Sequence, residues 1–432
     1  MFAVIVSLMV SISACNSENS DTDPDKAEKS VEENKKSDKP VTIQMATSGS
    51  AQEMAIREET ANKYMEENEN VKIEWIDLGN ERFQKLLTLI SSGEAPDILY
   101  INEFVFAFAE KGVLEPLDEY IENDEEFDLS QFYEGLIEPL KWEDKLYGLP
   151  QEVSPFVIYY NKDMFDEAGI PYPTDDWTKE EFLEIAKKLT NPEEKIYGYR
   201  HPGSDWFDQY LGWMSREGVS FYSEDLKSLA LDTPQTLDAL QFLNDMVHVE
   251  KVSPDPASIQ AMGKGFDALF RNQKVAMDSA GLWMLPTYEA EPLDFEWDVV
   301  RMPKGSDNQN TKAGVLNWSI SKDSENKDAA WDIVKYFVGP VGMKDVAEGS
   351  MALPASRDEE ANNIIIESKF PENVNAFIES AEDLDLSDQM SSKRNEIFTA
   401  IGNEIDAMLL GEQTPEETQE KIVELGNKIM NN

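Results

Sequence analysis

Two short segments of the chain place apolar side chains at every second position. Val41–Met45 and Val71–Trp75 both show this alternation, which is the spacing of a β-strand with one buried face. Between them, Ser50 and Glu53 have the spacing of a capping box, so a helix is predicted to begin there and to run towards Tyr64. The first part of the folded chain is therefore predicted to be strand, helix, strand.

The next segments continue this alternation of helix and strand. Four apolar residues recur at the helical spacing i, i+3, i+4 and i+7, namely Phe83, Leu86, Leu87 and Ile90. Gly93 ends this predicted helix, and Pro96–Tyr100 has the composition of a third strand. The β-α-β-α-β order predicts a parallel sheet with crossover helices, in which ligands bind beyond the carboxyl ends of the strands. The segments that follow the three strands, residues 47–50, 79–82 and 102–104, are therefore candidates for a ligand site.

Similar signals recur in the rest of the chain. Helices are predicted to begin after Thr178, Thr233 and Thr414, because each is a capping residue followed by a capping-box glutamate or an N1 proline. Further strands are predicted at Phe156–Tyr160 and Val275–Asp278. The mixture of helices and strands predicts an α/β fold without internal repeats.

Length and charge narrow the class of protein. The chain has 432 residues, 41% of them hydrophobic, which is sufficient for two lobes with packed cores. Its 86 acidic and 38 basic residues give a formal net charge of −48. This excess of acidic residues excludes a nucleic-acid partner and peripheral binding to anionic lipids, since both need a basic surface. Either adaptation to a saline or alkaline environment or a strongly solvated surface accounts for the acidity.

The residues that usually bind metals are scarce. Cys15 is the only cysteine, so no disulfide forms within the chain, and the two histidines, His201 and His248, are far apart in sequence. None of the usual zinc-binding spacings occurs. Neither a metal nor a cofactor is predicted.

The first fifteen residues carry a separate signal. Phe2–Ile12 is apolar but too short to span a bilayer, and it leads into Ile12-Ser13-Ala14-Cys15, which resembles a bacterial lipobox. The resemblance implies that residues 1–14 are a lipoprotein signal peptide and that Cys15 receives a diacylglycerol anchor. Residues 15–40 are almost wholly polar and are predicted to form a flexible tether. The alternative is a buried structural cysteine, and no basic residue precedes Cys15 as a signal peptide would require.

Five further motifs follow one another in a fixed order. They are Leu146–Pro150 (LYGLP), Val157–Phe165 (VIYYNKDMF), Trp177–Phe182 (WTKEEF), Asn272–Met277 with Gly281–Trp283 (NQKVAM and GLW), and Val299–Pro303 with Gly314–Ser319 (VVRMP and GVLNWS). Together they resemble the family 1 extracellular solute-binding proteins, a group that includes maltose-binding protein. The resemblance extends from about Val41 to the end of the chain, and the order of the motifs is more specific than any one of them.

This resemblance implies a fold and a function. The fold is the two-lobed, periplasmic-binding-protein-like fold of type II, in which each lobe is a mainly parallel sheet flanked by helices and hinge strands join the lobes. Residues 41–153 and 317–353 would form lobe one, and residues 154–316 and 354–432 would form lobe two. The protein would be a monomeric, non-enzymatic receptor, lipid-anchored on the extracytoplasmic face of the cell membrane. It would close around a sugar or oligosaccharide and deliver it to the permease of an ABC importer.

The family resemblance also indicates which residues would hold the ligand. A sugar has an apolar face and a hydroxyl-rich edge, so its site needs aromatic plates and polar side chains. Trp283 matches an aromatic plate of the family, with packing inside a turn as the alternative. Trp206 and Tyr210 match a region that holds a second aromatic residue, and packing of their helix is the alternative. Asn102 and Glu103 follow the third strand, where relatives use polar side chains and where helix capping is the alternative.

The remaining candidates lie on the segments that connect the two lobes. Ser154 aligns with a hydroxyl-binding position, although the neighbouring Gln151 or Glu152 would serve equally well. Asn317 and Trp318 lie on the crossing segment, where packing in the hinge is the alternative. Three more residues complete the set of candidates: Ser48, Arg82 and Asp278.

Three other functions remain open on the sequence alone. A secreted carbohydrate hydrolase would share the aromatic residues and carboxylates, but with 86 acidic residues a suggestive pair can always be found. The same fold could bind a polyamine or another polar solute through carboxylates and aromatic rings. An adhesion or scaffold lipoprotein would need no small ligand.

Overall fold

The computed structural model describes residues 40–79, 82–101, 104–201, 207–263, 267–350 and 352–431, so Cys15 and the predicted signal peptide and tether lie outside the described residues. The strands are β1 Val41–Thr47, β2 Val71–Asp77, β3 Ile98–Ile101, β4 Lys141–Trp142, β5 Lys145–Leu146, β6 Leu149–Pro155, β7 Val157–Asn161, β8 Tyr197–Tyr199, β9 Val275–Ala280, β10 Trp297–Val300, β11 Ala313–Ile320 and β12 Leu353–Pro354. The helices are α1 Ala51–Glu67, α2 Arg82–Ser91, α3 Val105–Glu110, α4 Asp118–Asn123, α5 Lys162–Ala168, α6 Lys179–Leu189, α7 Phe207–Arg216, α8 Pro234–His248, α9 Pro256–Met262, α10 Ala268–Arg271, α11 Leu285–Ala290, α12 Lys327–Phe337, α13 Pro340–Gly349, α14 Glu359–Ser368, α15 Asn375–Ala381, α16 Arg394–Leu409 and α17 Pro415–Met430.

Six strands form the larger sheet, in the order β12-β6-β11-β3-β1-β2. β1 lies between β2 and β3 and runs parallel to both, so the predicted β-α-β-α-β start is confirmed. The carboxyl ends of β1, β2 and β3 therefore meet at one edge of this sheet. β11 pairs antiparallel with β3 and with β6, and its register with β6 shifts between Leu316 and Asn317.

A second sheet has the order β10-β7-β9-β8, in which only the β8–β9 pair is parallel. Both sheets are therefore mixed, and the prediction of mainly parallel sheets was wrong. The reason lies in the connections between the strands. The antiparallel pairs, such as β3 with β11 and β7 with β9, join strands that are distant in sequence, so no single β-α-β crossover sets their relative direction.

Two clusters of buried apolar side chains occupy opposite faces of the four-stranded sheet. Val157 and Tyr159 belong to the cluster that also covers the six-stranded sheet, whereas Ile158 and Tyr160 belong to the second cluster. This division follows from the alternation of side chains along a strand. The first cluster is continuous from one sheet to the other. No helix among the described residues is both long and apolar enough to cross a membrane.

The local signals of the sequence set the ends of the helices. Capping boxes are present at Ser50, Thr178 and Thr414, as predicted. Gly93 follows α2 with a φ of 77°, a left-handed conformation that glycine adopts without strain. The predicted strands at Phe156–Tyr160 and Val275–Asp278 are β7 and β9, with boundaries displaced by one or two residues.

Removal of the N-terminal cap of α17 tests whether local sequence signals stabilise the ends of the helices. The hydroxyl of Thr414 accepts a hydrogen bond from the amide of Glu417 at 3.2 Å, and the carboxylate of Glu417 accepts one from the amide of Thr414 at 3.0 Å. Thr414→Ala leaves the Glu417 amide without this acceptor, and we expect the free energy of unfolding to fall by about 1 kcal/mol. Thr399→Ala, in the interior of α16, is the matched control. Urea titration should give an unchanged or slightly higher stability for this control.

Candidate functional site

A polar pocket of about 610 Å³ lies beyond the carboxyl ends of β1 and β2. Its walls are Ser48, Gly49, Ser50, Glu53, Asp77, Gly79, Arg82 and Leu316. Two of the predicted site residues, Ser48 and Arg82, therefore line the same pocket. Leu316 reaches it from β11, the strand that lies beside β6.

The turns that follow β1 and β2 place carboxylates in this pocket. Glu53 lies in the first turn of α1, where its Oε2 accepts a hydrogen bond from the amide of Ser50 at 2.6 Å. Asp77 ends β2, and its Oδ1 accepts from the amide of Gly79 at 2.9 Å. Gly79 has a φ of 62°, so the chain turns sharply there without strain. The pocket thus offers carboxylate acceptors from Glu53 and Asp77 and guanidinium donors from Arg82, a mixture that suits a ligand rich in hydroxyl groups.

Below the pocket, a buried arginine holds the loop that forms its wall. Arg57 is only 2% exposed, and its Nη1 donates to the hydroxyl of Thr47 at 3.1 Å and to the carbonyl of Ser48 at 2.9 Å. A Cβ on Gly49 would lie 2.8 Å from the same nitrogen, so the close approach of loop and guanidinium requires glycine. The guanidinium also lies 4.0 Å over the ring of Tyr100. Arg57 therefore fixes the position of the β1–α1 loop.

Glu152 joins Arg57 to the strands beside the pocket. Its Oε1 lies 3.5 Å from Arg57 Nη2 and accepts a hydrogen bond from the Tyr100 hydroxyl at 2.6 Å. Burial lowers the pKa of Arg57, but Tyr100 and the carboxylates of Glu152 and Glu53 more than offset burial and leave the pKa above its usual value. Burial also raises the pKa of Tyr100 well above its usual value.

The turn that follows β9 in the other sheet carries the predicted aromatic residue Trp283. Trp283 lies in the short 3₁₀ turn Leu282–Met284, partly buried, with its ring edge-on to Phe156 at a centroid distance of 5.4 Å. The Ser154 hydroxyl accepts a hydrogen bond from the Leu282 amide at 2.7 Å. The Tyr159 hydroxyl donates to the Gly281 carbonyl at 2.8 Å. Ser154, a predicted ligand contact, thus positions the turn that carries Trp283.

Two other predicted residues, Asp278 and Tyr210, are paired inside the protein. Asp278 accepts from Arg200 Nε through both oxygens, at 2.9 and 2.8 Å, and is 4% exposed. Burial raises the pKa of Asp278, although Arg200 acts in the opposite direction. Tyr210 is fully buried, and its hydroxyl donates to Asp406 at 3.1 Å. Burial raises its pKa well above the usual value. These partners indicate a packing role, which the sequence had left open for Tyr210.

The structure contradicts the assignment of Gln151 and Trp318 to the ligand site. The indole Nε1 of Trp318 donates to Gln151 Oε1 at 2.7 Å, and Gln151 Nε2 donates to the Phe337 carbonyl at 3.0 Å. Trp318 is fully buried and stacks with Tyr100 at 4.3 Å. Both side chains are satisfied in the core, so we withdraw them as ligand contacts. The alternative role of Trp318, packing between the crossing strands, is what its contacts support.

Asn317 differs from its neighbours on β11. It is fully buried, yet neither its Oδ1 nor its Nδ2 has a hydrogen-bond partner among the described residues. It pairs with Ile101, the last residue of β3. Asn317 therefore stays a candidate at the edge of the sheet where the ligand would bind. Three other candidates, Asn102, Glu103 and Trp206, lie outside the described residues.

Several pocket residues were not singled out from the sequence. Glu53 was recognised only as a capping residue, although its place after the first strand would have marked it as a pocket residue. Asp77, at the end of the second predicted strand, carried the same signal. No signal in the sequence marked Arg57, because its partner Glu152 is distant in sequence. No group of three or more His, Cys, Asp or Glu side chains among the described residues is arranged to bind a metal.

The chain belongs to the bacterial extracellular solute-binding protein family, whose model matches residues 47–344. It is similar to a putative binding protein of Brucella abortus, 28% identical over 282 residues, which are 64% of this chain and 66% of the relative. That match therefore spans slightly less than two thirds of the relative. The resemblance predicted from the five motifs is confirmed.

Solved structures show the same fold over nearly the whole chain. An ABC substrate-binding protein of Listeria monocytogenes, solved in complex with cycloalternan, is 29% identical with a TM-score of 0.79 and covers 90% of this chain and 99% of its own. A solute-binding protein of Thermotoga lettingae, bound to α-D-tagatose, is 27% identical with a TM-score of 0.73 and covers 90% and 99%. The predicted two-lobed α/β fold is thus confirmed, with mixed rather than mainly parallel sheets.

Proposed function

We propose that this protein is the sugar or oligosaccharide receptor of an ABC importer and that its ligand lies between the polar pocket and Trp283. The observation that carries the proposal is that β11 borders both groups: Leu316 lines the pocket, and a Cβ on Gly314 would lie 3.6 Å from the Trp283 ring. The pocket beside Ser48 and Arg82 offers carboxylate and guanidinium groups for hydroxyls, and the turn after β9 offers an indole for the apolar face of a sugar ring. Two solved relatives hold carbohydrate ligands, cycloalternan and α-D-tagatose, which supports the same class here.

The mechanism is closure of two lobes rather than a chemical reaction. We retain residues 41–153 with 317–353 as lobe one and residues 154–316 with 354–432 as lobe two. β6 leads directly into β7, and β11 returns the chain from the second sheet to the first, so both connections act as hinge strands. A ligand that contacts both lobes stabilises the closed form by its differential affinity for the two states. The permease then recognises the closed form.

The pocket favours a neutral polyol over an organic cation. Arg82 lines the pocket and Arg57 lies below it, so two guanidinium groups stand close to the carboxylates of Glu53 and Asp77. A polyamine carries only hydrogen-bond donors and would leave the Arg82 guanidinium without an acceptor, whereas vicinal hydroxyls can donate to the carboxylates and accept from Arg82. We therefore place sugars ahead of polyamines.

The N-terminal segment completes the proposal. Diacylglycerol on Cys15 and the tether of residues 15–40 would hold a monomeric receptor at the extracytoplasmic face of the cell membrane. Radiolabelled palmitate should be incorporated into the wild-type protein in a bacterial host and not into Cys15→Ser. Incorporation into both proteins would exclude Cys15 as the lipidated residue.

A thermal-shift screen tests the proposed ligand class. Monosaccharides, oligosaccharides, polyamines and phosphorylated polyols are added separately to the protein. We expect an oligosaccharide or a monosaccharide to raise the melting temperature by mass action, and polyamines to leave it unchanged. The sugar that binds should be recovered intact after prolonged incubation. A shift by polyamines alone, or turnover of the sugar, would overturn the proposal.

Arg82→Met and Glu53→Gln locate the ligand in the pocket. Each removes one charged partner of the ligand, and we expect the sugar identified in the screen to bind roughly 10- to 150-fold more weakly, as for a hydrogen bond to a charged group. Lys227→Met is the control, since this side chain is 82% exposed and pairs only with Asp225 among the described residues. Calorimetric titration that gives unchanged affinity for both pocket variants would move the site elsewhere.

A further inference from the structure

A second arginine, Arg216, lies inside the protein without a counter-ion. It is the last residue of α7 and only 1% exposed, and its guanidinium stacks over the ring of Trp213 at 4.3 Å. Its Nη1 donates to the carbonyl of Asn310 at 3.3 Å, but its Nε and Nη2 have no hydrogen-bond partner among the described residues. No described carboxylate forms an ion pair with it. In a chain with 86 acidic residues, this is an unusual environment for a buried cation.

Three carboxylates of the surrounding segments, Asp385, Asp388 and Glu217, are already used by other cations. Asp385 and Asp388 hold the ammonium of Lys312 at 3.0 and 2.9 Å. Asp388 also accepts from Arg394 Nε at 3.1 Å. Glu217, which follows Arg216 in sequence, is bound to Lys179 at 2.5 Å and to the hydroxyl of Ser306 at 2.6 Å. None of these groups is free to neutralise Arg216.

The geometry around Gly212 brings this arginine close to the side chain of Lys312. A Cβ on Gly212 would lie 3.3 Å from Arg216 Nη1 and 3.7 Å from Lys312 Cγ, so both side chains flank the same glycine. The contact with Lys312 is made by the aliphatic part of its side chain, and its buried ammonium is bound to Asp385 and Asp388. The carbonyl end of α7 offsets part of the charge, but it leaves Nε and Nη2 without acceptors.

We propose that Arg216 is an internal anion-binding site, occupied by a small inorganic anion of the size of chloride that accepts from Nε and Nη2. A buried guanidinium needs both a counter-charge and acceptors for its N–H groups, and a halide supplies both in a small volume. Burial lowers the pKa of Arg216 to about 10, and the neighbouring Tyr199 and Glu217 offset only part of this effect. A water molecule would accept the hydrogen bonds but would not neutralise the charge.

This site is independent of the proposed sugar site. It involves neither the pocket after β1 nor Trp283, and its occupant would stabilise the folded protein in the absence of sugar. Chloride then stabilises the folded state of this strongly acidic protein by binding at Arg216, in addition to the general screening of its surface charge.

Bromide, which replaces chloride and scatters anomalously, locates the anion directly. Crystals of the wild-type protein grown in sodium bromide should show an anomalous peak about 3.5 Å or less from Arg216 Nε or Nη2, at charge-assisted hydrogen-bond distance for a halide. Peaks only at surface lysines, with none at Arg216, would overturn the proposal. This measurement needs no variant and is therefore unaffected by folding defects.

Melting temperatures test the same site in solution. Chloride is compared with methanesulfonate at equal sodium concentration, so that ionic strength is constant. We expect chloride to raise the melting temperature of the wild-type protein and of Lys227→Met by roughly 2–4 °C. Arg216→Met, which has the same net charge as Lys227→Met, should show no chloride-specific shift. Equal shifts in both variants, or no shift in the wild type, would refute an anion at Arg216.

Discussion

Trp283→Ala is expected to weaken sugar binding by about 5- to 150-fold, because one stacked aromatic ring contributes about 1–3 kcal/mol to a carbohydrate complex. Trp283 is partly buried at the turn after β9, and its ring packs edge-on against Phe156. The turn itself is held by Ser154 and Tyr159 through hydrogen bonds to the backbone, so it should persist when the indole is removed. Isothermal titration with the sugar found in the thermal-shift screen gives the affinity directly.

Trp142→Ala is the matched control for this experiment. Trp142 is also half-buried, but it lies in the short β4–β5 pair and packs near Tyr147 at 6.3 Å, away from the pocket. Its removal should leave the sugar affinity unchanged. If Trp283→Ala binds as tightly as the wild type, or if both variants lose affinity equally, the aromatic plate has been assigned to the wrong residue.

Lys312→Met is expected to have the largest effect on stability, a loss of about 3–5 kcal/mol in the free energy of unfolding at neutral pH. Lys312 is buried just before β11 and holds Asp385 and Asp388 at 3.0 and 2.9 Å. Without the ammonium, Asp385 loses its ion-pair partner in a buried environment, and Asp388 keeps only Arg394. Denaturant titration measures the loss, and Lys227→Met, with the same change in net charge, should remain within about 0.5 kcal/mol of the wild type.

The pH dependence distinguishes this ion pair from simple packing. Burial raises the pKa of Asp385, but Lys312 and the hydroxyls of Ser215 and Ser387 lower it by more, so it is held below its usual range. A carboxyl group with a depressed folded-state pKa contributes stability above its unfolded value of about 4 and loses this contribution as the pH falls through the folded value. The difference between wild type and Lys312→Met should therefore narrow below about pH 4. A constant difference from pH 7 to pH 3 would mean that the lysine acts only by packing.

The local features of the fold followed from the sequence because they depend on neighbouring residues. Capping boxes at Ser50, Thr178 and Thr414 involve contacts three residues apart, and the strands β1 and β2 follow from alternation alone. The antiparallel strands did not follow, because β3 pairs with β11 and β7 pairs with β9 across long stretches of chain, and no local signal sets their relative direction. The mixed character of both sheets therefore became visible only in the pairing.

The residues of the candidate site show the same contrast between local signals, which were predictable, and long-range contacts, which were not. Ser48 and Arg82 were accessible to prediction, because they follow strands whose carboxyl ends meet. Gln151 and Trp318 were misassigned because a polar residue and a tryptophan on a crossing strand suit a ligand as well as they suit each other. Arg57 could not be found, since its ion pair with Glu152 joins distant parts of the chain. Such long-range polar partners leave no periodic trace in a sequence.

The register shift between Leu316 and Asn317 divides β11 into a part that lines the pocket and a part that packs in the core. Leu316, on one side of the shift, lines the polar pocket, whereas Trp318, on the other side, is fixed in the core by Gln151. Selectivity and stability can therefore be varied independently along β11. A substitution at position 316 can therefore enlarge or reshape the binding pocket. The packing of Trp318 in the core, two residues away, is left intact.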